Sequence, residues 1–96
     1  MITFNELLER AKTEKIVVHT PTEKQAKVLL KALDKKRYKW NTGTKLTTET
    51  WYKCYKEDTC YTLEPNNKIC YGSFTWYQGE GYTIIEFTDI DFEENK

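Results

Sequence analysis

Apolar residues recur at helical spacing in two stretches near the start of the chain. In the first, Thr3 and Glu6 have the spacing of a capping box, in which each side chain accepts a hydrogen bond from the other residue's free backbone N–H. In the second, Thr20 is the expected N-cap, with Pro21 at the first helical position and Glu23 closing the box. We therefore expect a short helix and then a longer one. Their inner faces consist of Phe4, Leu7, Leu8 and Ala11, and of Ala26, Leu29, Leu30 and Leu33.

The remaining regular patterns predict strands. Residues 16–19 are apolar on both faces, which is typical of an interior strand, and residues 38–40 follow the long helix as the second strand of a parallel strand–helix–strand unit with a right-handed crossover. Residues 59–63 and 69–71 flank a turn-forming segment and predict a hairpin, and residues 82–87 form the last strand. The predicted fold class is α+β, with a small mixed β-sheet of about five strands and two helices packed on it, in a single domain.

Three segments are less regular. Between residues 46 and 58, either Thr47 or Thr48 is a suitable cap for a short helix, although the threonines also suit a loop. Ser73 is the expected cap of one helical turn after the hairpin. The acidic tail, residues 89–96, is expected at a sheet edge or frayed.

Charge is distributed unevenly along a chain whose formal net charge is zero. Residues 1–45 contain eleven Lys or Arg and five acids, whereas residues 46–96 contain four and ten. We interpret this polarity as attraction between the two halves within the fold, since a charge-balanced chain is not typical of a protein that binds duplex nucleic acid. One lysine row also stands out, and we interpret it as the solvated face of the long helix. The row consists of Lys24, Lys27, Lys31 and Lys35.

The composition indicates a soluble protein with no membrane partner, because no apolar run is long enough to cross a bilayer. The amino terminus has no secretory signal pattern, so the cytoplasm is the expected compartment. Cys54, Cys60 and Cys70 are odd in number and form no C-x-x-C, which favours reduced thiols, although a Cys60 to Cys70 bridge across the hairpin stays open.

Candidates for catalysis are few. His19 is the single histidine and Ser73 the single serine, and nothing around Ser73 has the pattern of a nucleophile elbow. Cys54 paired with His19 is allowed by residue type, and the three cysteines with His19 are allowed as a zinc site, but the usual close pair of ligands is missing. Asp89 and Asp91 are better interpreted as surface acids than as metal ligands. We expect a non-enzymatic protein without a cofactor.

The best local candidate for ligand binding is the junction where the first interior strand meets the long helix. Backbone N–H groups and the helix dipole favour an anion there. The residues expected to line such a site are His19, Thr20, Thr22 and Lys24. The alternative is an ordinary capping box with a packed histidine, which the absence of glycine favours.

Aromatic residues are concentrated between Tyr38 and Tyr82, where eleven of the forty-five residues are aromatic. About half lie in strand patterns and are assigned to the framework. The others lie in short helical or irregular segments and are expected to stack on bases or to insert into a protein partner or a second copy of this chain. These five are Trp51, Tyr52, Tyr55, Trp76 and Tyr77.

Several framework segments, in the same order across residues 3–92, resemble a group of small uncharacterised proteins encoded by phages and prophages of Gram-positive bacteria. Arg37 departs from that resemblance, since a turn glycine is expected there. The segments are Lys15–His19, Thr22–Glu23, Tyr38–Trp40, Thr59–Tyr61, Tyr71–Gly72, Trp76–Tyr77 and Gly81–Ile90.

The resemblance implies a setting, the cytoplasm of a bacterial host, and a class of function. Small phage accessory proteins of this size are frequently antagonists of bacterial immunity. The expected function is therefore non-enzymatic capture of a nucleotide-derived immune signal. The alternative is direct inhibition of a defence effector or CRISPR nuclease through an aromatic surface, and a homodimer is compatible with either.

Overall fold

The computed structural model describes residues 1–92. These residues form a five-stranded sheet, a two-stranded sheet and four α-helices. Three 3-10 helices, Leu46–Thr48, Lys56–Asp58 and Phe87–Asp89, complete the secondary structure of these residues. In chain order the strands and α-helices are β1 (Ile2–Thr3), α1 (Phe4–Arg10), β2 (Ile16–His19), α2 (Glu23–Lys35), β3 (Lys39–Trp40), α3 (Tyr52–Tyr55), β4 (Thr59–Leu63), β5 (Lys68–Ser73), α4 (Phe74–Gly79), β6 (Thr83–Glu86) and β7 (Ile90–Asp91).

The larger sheet has the strand order β3-β5-β4-β2-β6, which confirms the predicted α+β fold with a mixed five-stranded sheet. Strand β4 is antiparallel to both β2 and β5, whereas β2–β6 and β3–β5 are parallel pairs. Two antiparallel steps separate β2 from β5, so β2 and β3 run in the same direction, as the strand–helix–strand pattern predicts. They are not neighbours, because the β4–β5 hairpin inserts between them.

Helix α2 begins two residues later than the sequence predicts, because Thr22 and not Thr20 is its N-cap. The Thr22 hydroxyl accepts a hydrogen bond from the Gln25 N–H at 3.1 Å, and the Gln25 side chain accepts one from the Thr22 N–H. Thr20 instead follows β2 and stays bonded to β4, since its N–H and its hydroxyl both donate to the Thr59 carbonyl. The α1 capping box between Thr3 and Glu6 forms as predicted.

The end of α2 explains how the chain tolerates Arg37 in place of a turn glycine. Arg37 is left-handed, with φ 70°. Its N–H donates to the Asp34 carbonyl, and the Tyr38 N–H donates to the Leu33 carbonyl, which is the hydrogen-bond pattern of a Schellman motif. Glycine is preferred at this position because a Cβ disfavours the left-handed conformation by about 1 to 2 kcal/mol.

The main sheet buries a large core on one face and a small core on the other. The large core lies under α1 and α2 and contains alternate residues of the strands, such as Ile16, Val18 and Tyr61. The small core contains Val17, Cys60 and Tyr77, and the partly buried Phe74, Tyr82 and Ile84 pack against it. Helix α4 therefore covers the face of the main sheet opposite to α1 and α2.

The chain ends meet in the second sheet. Ile2 and Thr3 of β1 pair in parallel with Ile90 and Asp91 of β7, and Ile90 is buried. Part of the acidic tail is therefore an edge strand, while its residues 93–96 lie outside the described part of the chain. Within residues 1–92, no helix is both long and apolar enough to cross a bilayer.

Candidate functional site

The segment that carries three of the five aromatic candidates has a strained backbone. Helix α3 starts at Tyr52, so neither Thr47 nor Thr48 caps it, and Leu46–Thr48 forms a separate 3-10 helix. Trp51, the N-cap, is left-handed with φ 59°, and Lys56, the C-cap, has φ 51° and ψ −125°. Such conformations in residues other than glycine cost about 1 to 3 kcal/mol each. The four-residue helix is therefore held between two unfavourable backbone positions.

Hydrogen bonds from the rest of the domain hold this segment in place. The Tyr61 hydroxyl donates to the Thr50 carbonyl before α3, and the Thr59 hydroxyl donates to the Lys56 carbonyl after it. Within α3 the Tyr52 hydroxyl donates to the Pro21 carbonyl. Tyr52 is thus an anchor joining the segment to the start of α2, and its polar end is already occupied.

Four side chains on and beside α3 form what we call the Trp51 surface: Trp51, Lys53, Tyr55 and Tyr71. The Trp51 and Tyr71 rings are stacked, with centroids 5.7 Å apart and an interplanar angle of 7°. Tyr55 lies 6.2 Å from Tyr71 and is 42% exposed, and the Lys53 ammonium lies 5.7 Å from the Trp51 centroid. Tyr71 lies in a strand pattern, which predicts a framework role. Sequence reasoning missed its part in this surface, because a strand pattern does not show which residues of a distant segment, here Trp51 and Tyr55, pack beside the strand.

The other two aromatic candidates lie on α4, on the opposite face of the main sheet. Trp76 is 56% exposed. Its ring centroid lies 5.2 Å from that of Tyr77, in a T-shaped arrangement, and 6.5 Å from that of Tyr82. The Lys15 ammonium lies 4.8 Å from the Tyr82 centroid. We call Trp76, Tyr82 and Lys15 the Trp76 surface. Tyr77 is buried and belongs to the small core, where its ring fills the space that a Cβ on Gly72 would need.

His19 is a packed residue with both ring nitrogens engaged. Its Nδ1 lies 2.8 Å from Glu86 Oε1, and its Nε2 lies 2.8 Å from the Glu57 carbonyl oxygen. The carboxylate and the carbonyl are both acceptors, so each ring nitrogen faces an acceptor atom. The His19 ring also packs on the Phe74 ring, with centroids 4.9 Å apart. His19 therefore has no free nitrogen for a ligand or for a cysteine nucleophile.

The other junction residues differ in exposure and in hydrogen bonding. Thr20 is fully buried, Thr22 is used in its own capping box, and Lys24 is exposed. The surroundings are acidic: partial burial raises the pKa of the Tyr52 hydroxyl, and the Glu57 and Glu23 carboxylates raise it further. The structure thus brings His19, Thr20, Thr22 and Tyr52 together as a scaffold, with Trp51 and Tyr55 beyond it and Trp76 on another face.

The cysteines are free thiols in three different environments. Burial raises the pKa of the Cys60 thiol to about 12, and the Glu86 and Asp58 carboxylates add to this shift. Burial also raises the pKa of Cys70. Thiolates are the reactive and metal-binding form, so neither residue is a prepared nucleophile. Cys54 is exposed, and among residues 1–92 no group of three or more His, Cys, Asp or Glu is placed to hold a metal ion.

No protein-family model matches the chain, and no curated protein or solved structure matches it at a significant level. The resemblance to phage accessory proteins therefore stays a prediction from the sequence.

Proposed function

We propose that this chain is a non-catalytic phage anti-defence protein that binds a bacterial defence protein directly through the Trp51 surface. The observation that carries the proposal is the strained backbone at Trp51 and Lys56 on either side of α3. Strain of this kind persists only where surrounding structure over-determines it, and it is concentrated at functional sites. Here it presents an exposed tyrosine, a lysine and a stacked tryptophan on a fixed frame.

The chemistry of the Trp51 surface suits a protein partner. Tyr and Trp are enriched among the residues that dominate interface energies, because each offers a rigid apolar area with a polar end. Tyr55 is exposed and makes a ring contact to Tyr71. The stacked Trp51–Tyr71 pair beneath it requires no rearrangement before binding, which lowers the entropic cost of association. The choice of a defence effector or CRISPR nuclease as the partner comes from the resemblance to phage accessory proteins.

Capture of a nucleotide-derived signal is the second candidate. It is favoured by the Lys53 ammonium beside the Trp51 ring, since an aromatic face with a nearby cation is the usual means of holding a base and its phosphate. A sponge also needs two aromatic faces separated by a base. In one chain Trp51 is stacked on Tyr71 instead, so this function requires a second copy to supply the facing ring.

The test begins with phage plating on bacteria that carry individual defence systems, with and without the chain. We expect the chain to rescue plating against at least one system and to bind its purified effector by calorimetry. Tyr55→Ala and Lys53→Glu should lose rescue and weaken binding, about 30-fold for the tyrosine if it carries about 2 kcal/mol. Trp76→Ala is the matched control and should keep both activities.

A thermal-shift panel of cyclic oligonucleotides and ADP-ribose derivatives separates the two candidates. Direct inhibition predicts no shift with any of these compounds. A ligand that raises the melting temperature of the wild type but not of Tyr55→Ala would replace the first proposal by the second. Rescue that survives both Tyr55→Ala and Lys53→Glu would reject the Trp51 surface altogether.

A further inference from the structure

The outer side of α2 carries a third surface, which the proposed function does not use. A groove of about 550 Å³ lies between α2, the start of α1 and the end of the described chain. We call it the lysine groove. Its floor consists of Phe4, Val28, Ala32 and Phe92, and its rim of Lys31, Lys35 and Lys36.

The positive charge around the groove is not neutralised within residues 1–92. None of the salt bridges in that part of the chain involves Lys31, Lys35 or Lys36. Asp34 is the nearest acid on α2, but its carboxylate is bound 2.9 Å from the Lys45 ammonium. The rim therefore presents three cations on one side of a molecule whose formal net charge is zero.

The floor of the groove is apolar and partly open. Val28 is apolar, yet it is 43% exposed, and it lies on the same outer side of α2 as the lysines. Phe92 is partly buried and packs on Phe4 with ring centroids 5.2 Å apart, so the last described residue forms part of the floor. A volume of this size falls within the range of about 300 to 1,000 Å³ that holds small ligands or inserted side chains.

We infer that the lysine groove binds an acidic segment of a protein partner in which a bulky apolar residue lies among Asp and Glu. The apolar side chain covers Val28 and Ala32, and the carboxylates face Lys31, Lys35 and Lys36. Charge complementarity selects such a segment against the many neutral or basic apolar segments of a cell. The groove is distinct from the Trp51 surface, so this binding stands or falls independently of the proposed function.

Single-stranded nucleic acid fits the lysine groove less well. Binding of single strands combines a cationic track with exposed aromatic rings on which the bases stack. Here Phe4 is buried and Phe92 is packed against Phe4 and Phe87, so the rings of the floor are covered by one another. The open part of the floor is aliphatic, which suits a leucine or phenylalanine side chain and not the face of a base.

The test uses fluorescence anisotropy with a labelled ten-residue peptide of Glu and Asp around one central Leu. A peptide with Ser in place of Leu and a labelled ten-nucleotide oligothymidine are the controls. We expect the Leu peptide to bind best, and its affinity to fall between 50 and 300 mM NaCl because exposed ion pairs are screened by salt. The double variant Lys31→Glu, Lys35→Glu should weaken binding about fivefold or more, whereas Lys53→Glu on the Trp51 surface should not.

Three results would overturn the inference. The first is equal binding of the Leu and Ser peptides, which would mean that charge alone attracts them. The second is tighter binding of oligothymidine than of either peptide. The third is that the Leu peptide binds only after residues 93–96 are removed, because those residues would then be the occupant of the groove. Retained circular dichroism of each variant confirms that lost binding does not reflect lost folding.

Discussion

The two aromatic surfaces expose their rings by opposite means. Trp51 lies on a left-handed residue before a four-residue helix, and hydrogen bonds from distant elements maintain that conformation. Trp76 lies in a regular helix whose N-cap, Ser73, accepts a hydrogen bond from the Trp76 N–H at 3.2 Å. The first surface depends on hydrogen bonds from outside its segment, whereas the helix of the second has its own side-chain cap and packs on the sheet through Tyr77. A tryptophan at the surface is therefore informative about function mainly when its backbone conformation is costly.

The largest effect is expected from removing the Tyr77 ring, through which α4 packs on the main sheet. Tyr77→Ala deletes a buried aromatic side chain from the small core and should lower the free energy of unfolding by about 3 to 5 kcal/mol. Chemical denaturation measures this loss. Among molecules that stay folded, NMR shifts should change around Trp76 and Val17 and stay unchanged around Trp51. Tyr77→Phe is the control and should cost far less, and an equal response of both surfaces would contradict their independence.

A smaller effect is expected at His19, which touches the supports of both surfaces. It contacts the Glu57 carbonyl behind α3 and the Phe74 ring of α4. His19→Ala should lower the free energy of unfolding by roughly 1 to 2 kcal/mol, because Glu86 is partly exposed and solvent offsets part of the lost hydrogen bonding.

Hydrogen exchange by mass spectrometry gives the readout for His19→Ala. Amide exchange should accelerate in residues 56–58 and near Phe74 together. Lys15→Ala, which removes a cation from Tyr82 on the surface, is the control and should leave residues 56–58 unchanged. Acceleration at one end only would show that His19 supports a single surface.

The smallest effect comes from placing glycine next to each surface, at the end of α3 and within α4, and the two substitutions are expected to have opposite signs. Lys56→Gly should raise the free energy of unfolding by about 1 kcal/mol, because glycine adopts the Lys56 conformation without steric cost. Gln78→Gly, within α4, should lower it by about 1 kcal/mol because glycine is a poor helix former. Both shifts are measurable by urea denaturation. Destabilisation by Lys56→Gly would mean that the lysine side chain, and not strain, governs that position.

Elements that depend on neighbouring residues were predictable from the sequence. The Thr3 capping box, the β2 strand, the β4–β5 hairpin and the Ser73 cap each follow from spacing alone. The start of α2 was not predictable in this way. Thr20 with Glu23 and Thr22 with Gln25 both have the spacing of a capping box, and the two patterns overlap. Pairing with the Thr59 carbonyl decides between them, and a single helix pattern holds no information on that contact.

The candidate site was predictable only in part. The sequence singled out Trp51 and Tyr55, since both lie outside strand patterns, but it grouped them with Trp76, which the sheet separates from them. The sequence assigned Tyr71 to the framework and Tyr77 to a binding surface. In the structure Tyr71 joins a surface and Tyr77 fills a core. Which face of a sheet an extra helix covers is a long-range property. The left-handed Trp51 is equally hidden, because no glycine marks the position.

The pairing of β1 with β7 has a mechanical consequence. Ile2 lies beside Ile90 and Thr3 beside Asp91 in parallel register, so opposite pulls on the start of β1 and the end of β7 load this pairing in shear. In that geometry the hydrogen bonds and the buried Ile90 resist together, whereas strands that are peeled apart release their bonds one after another. Pulling the two flanking segments apart along the strands must therefore break the whole β1–β7 contact at once.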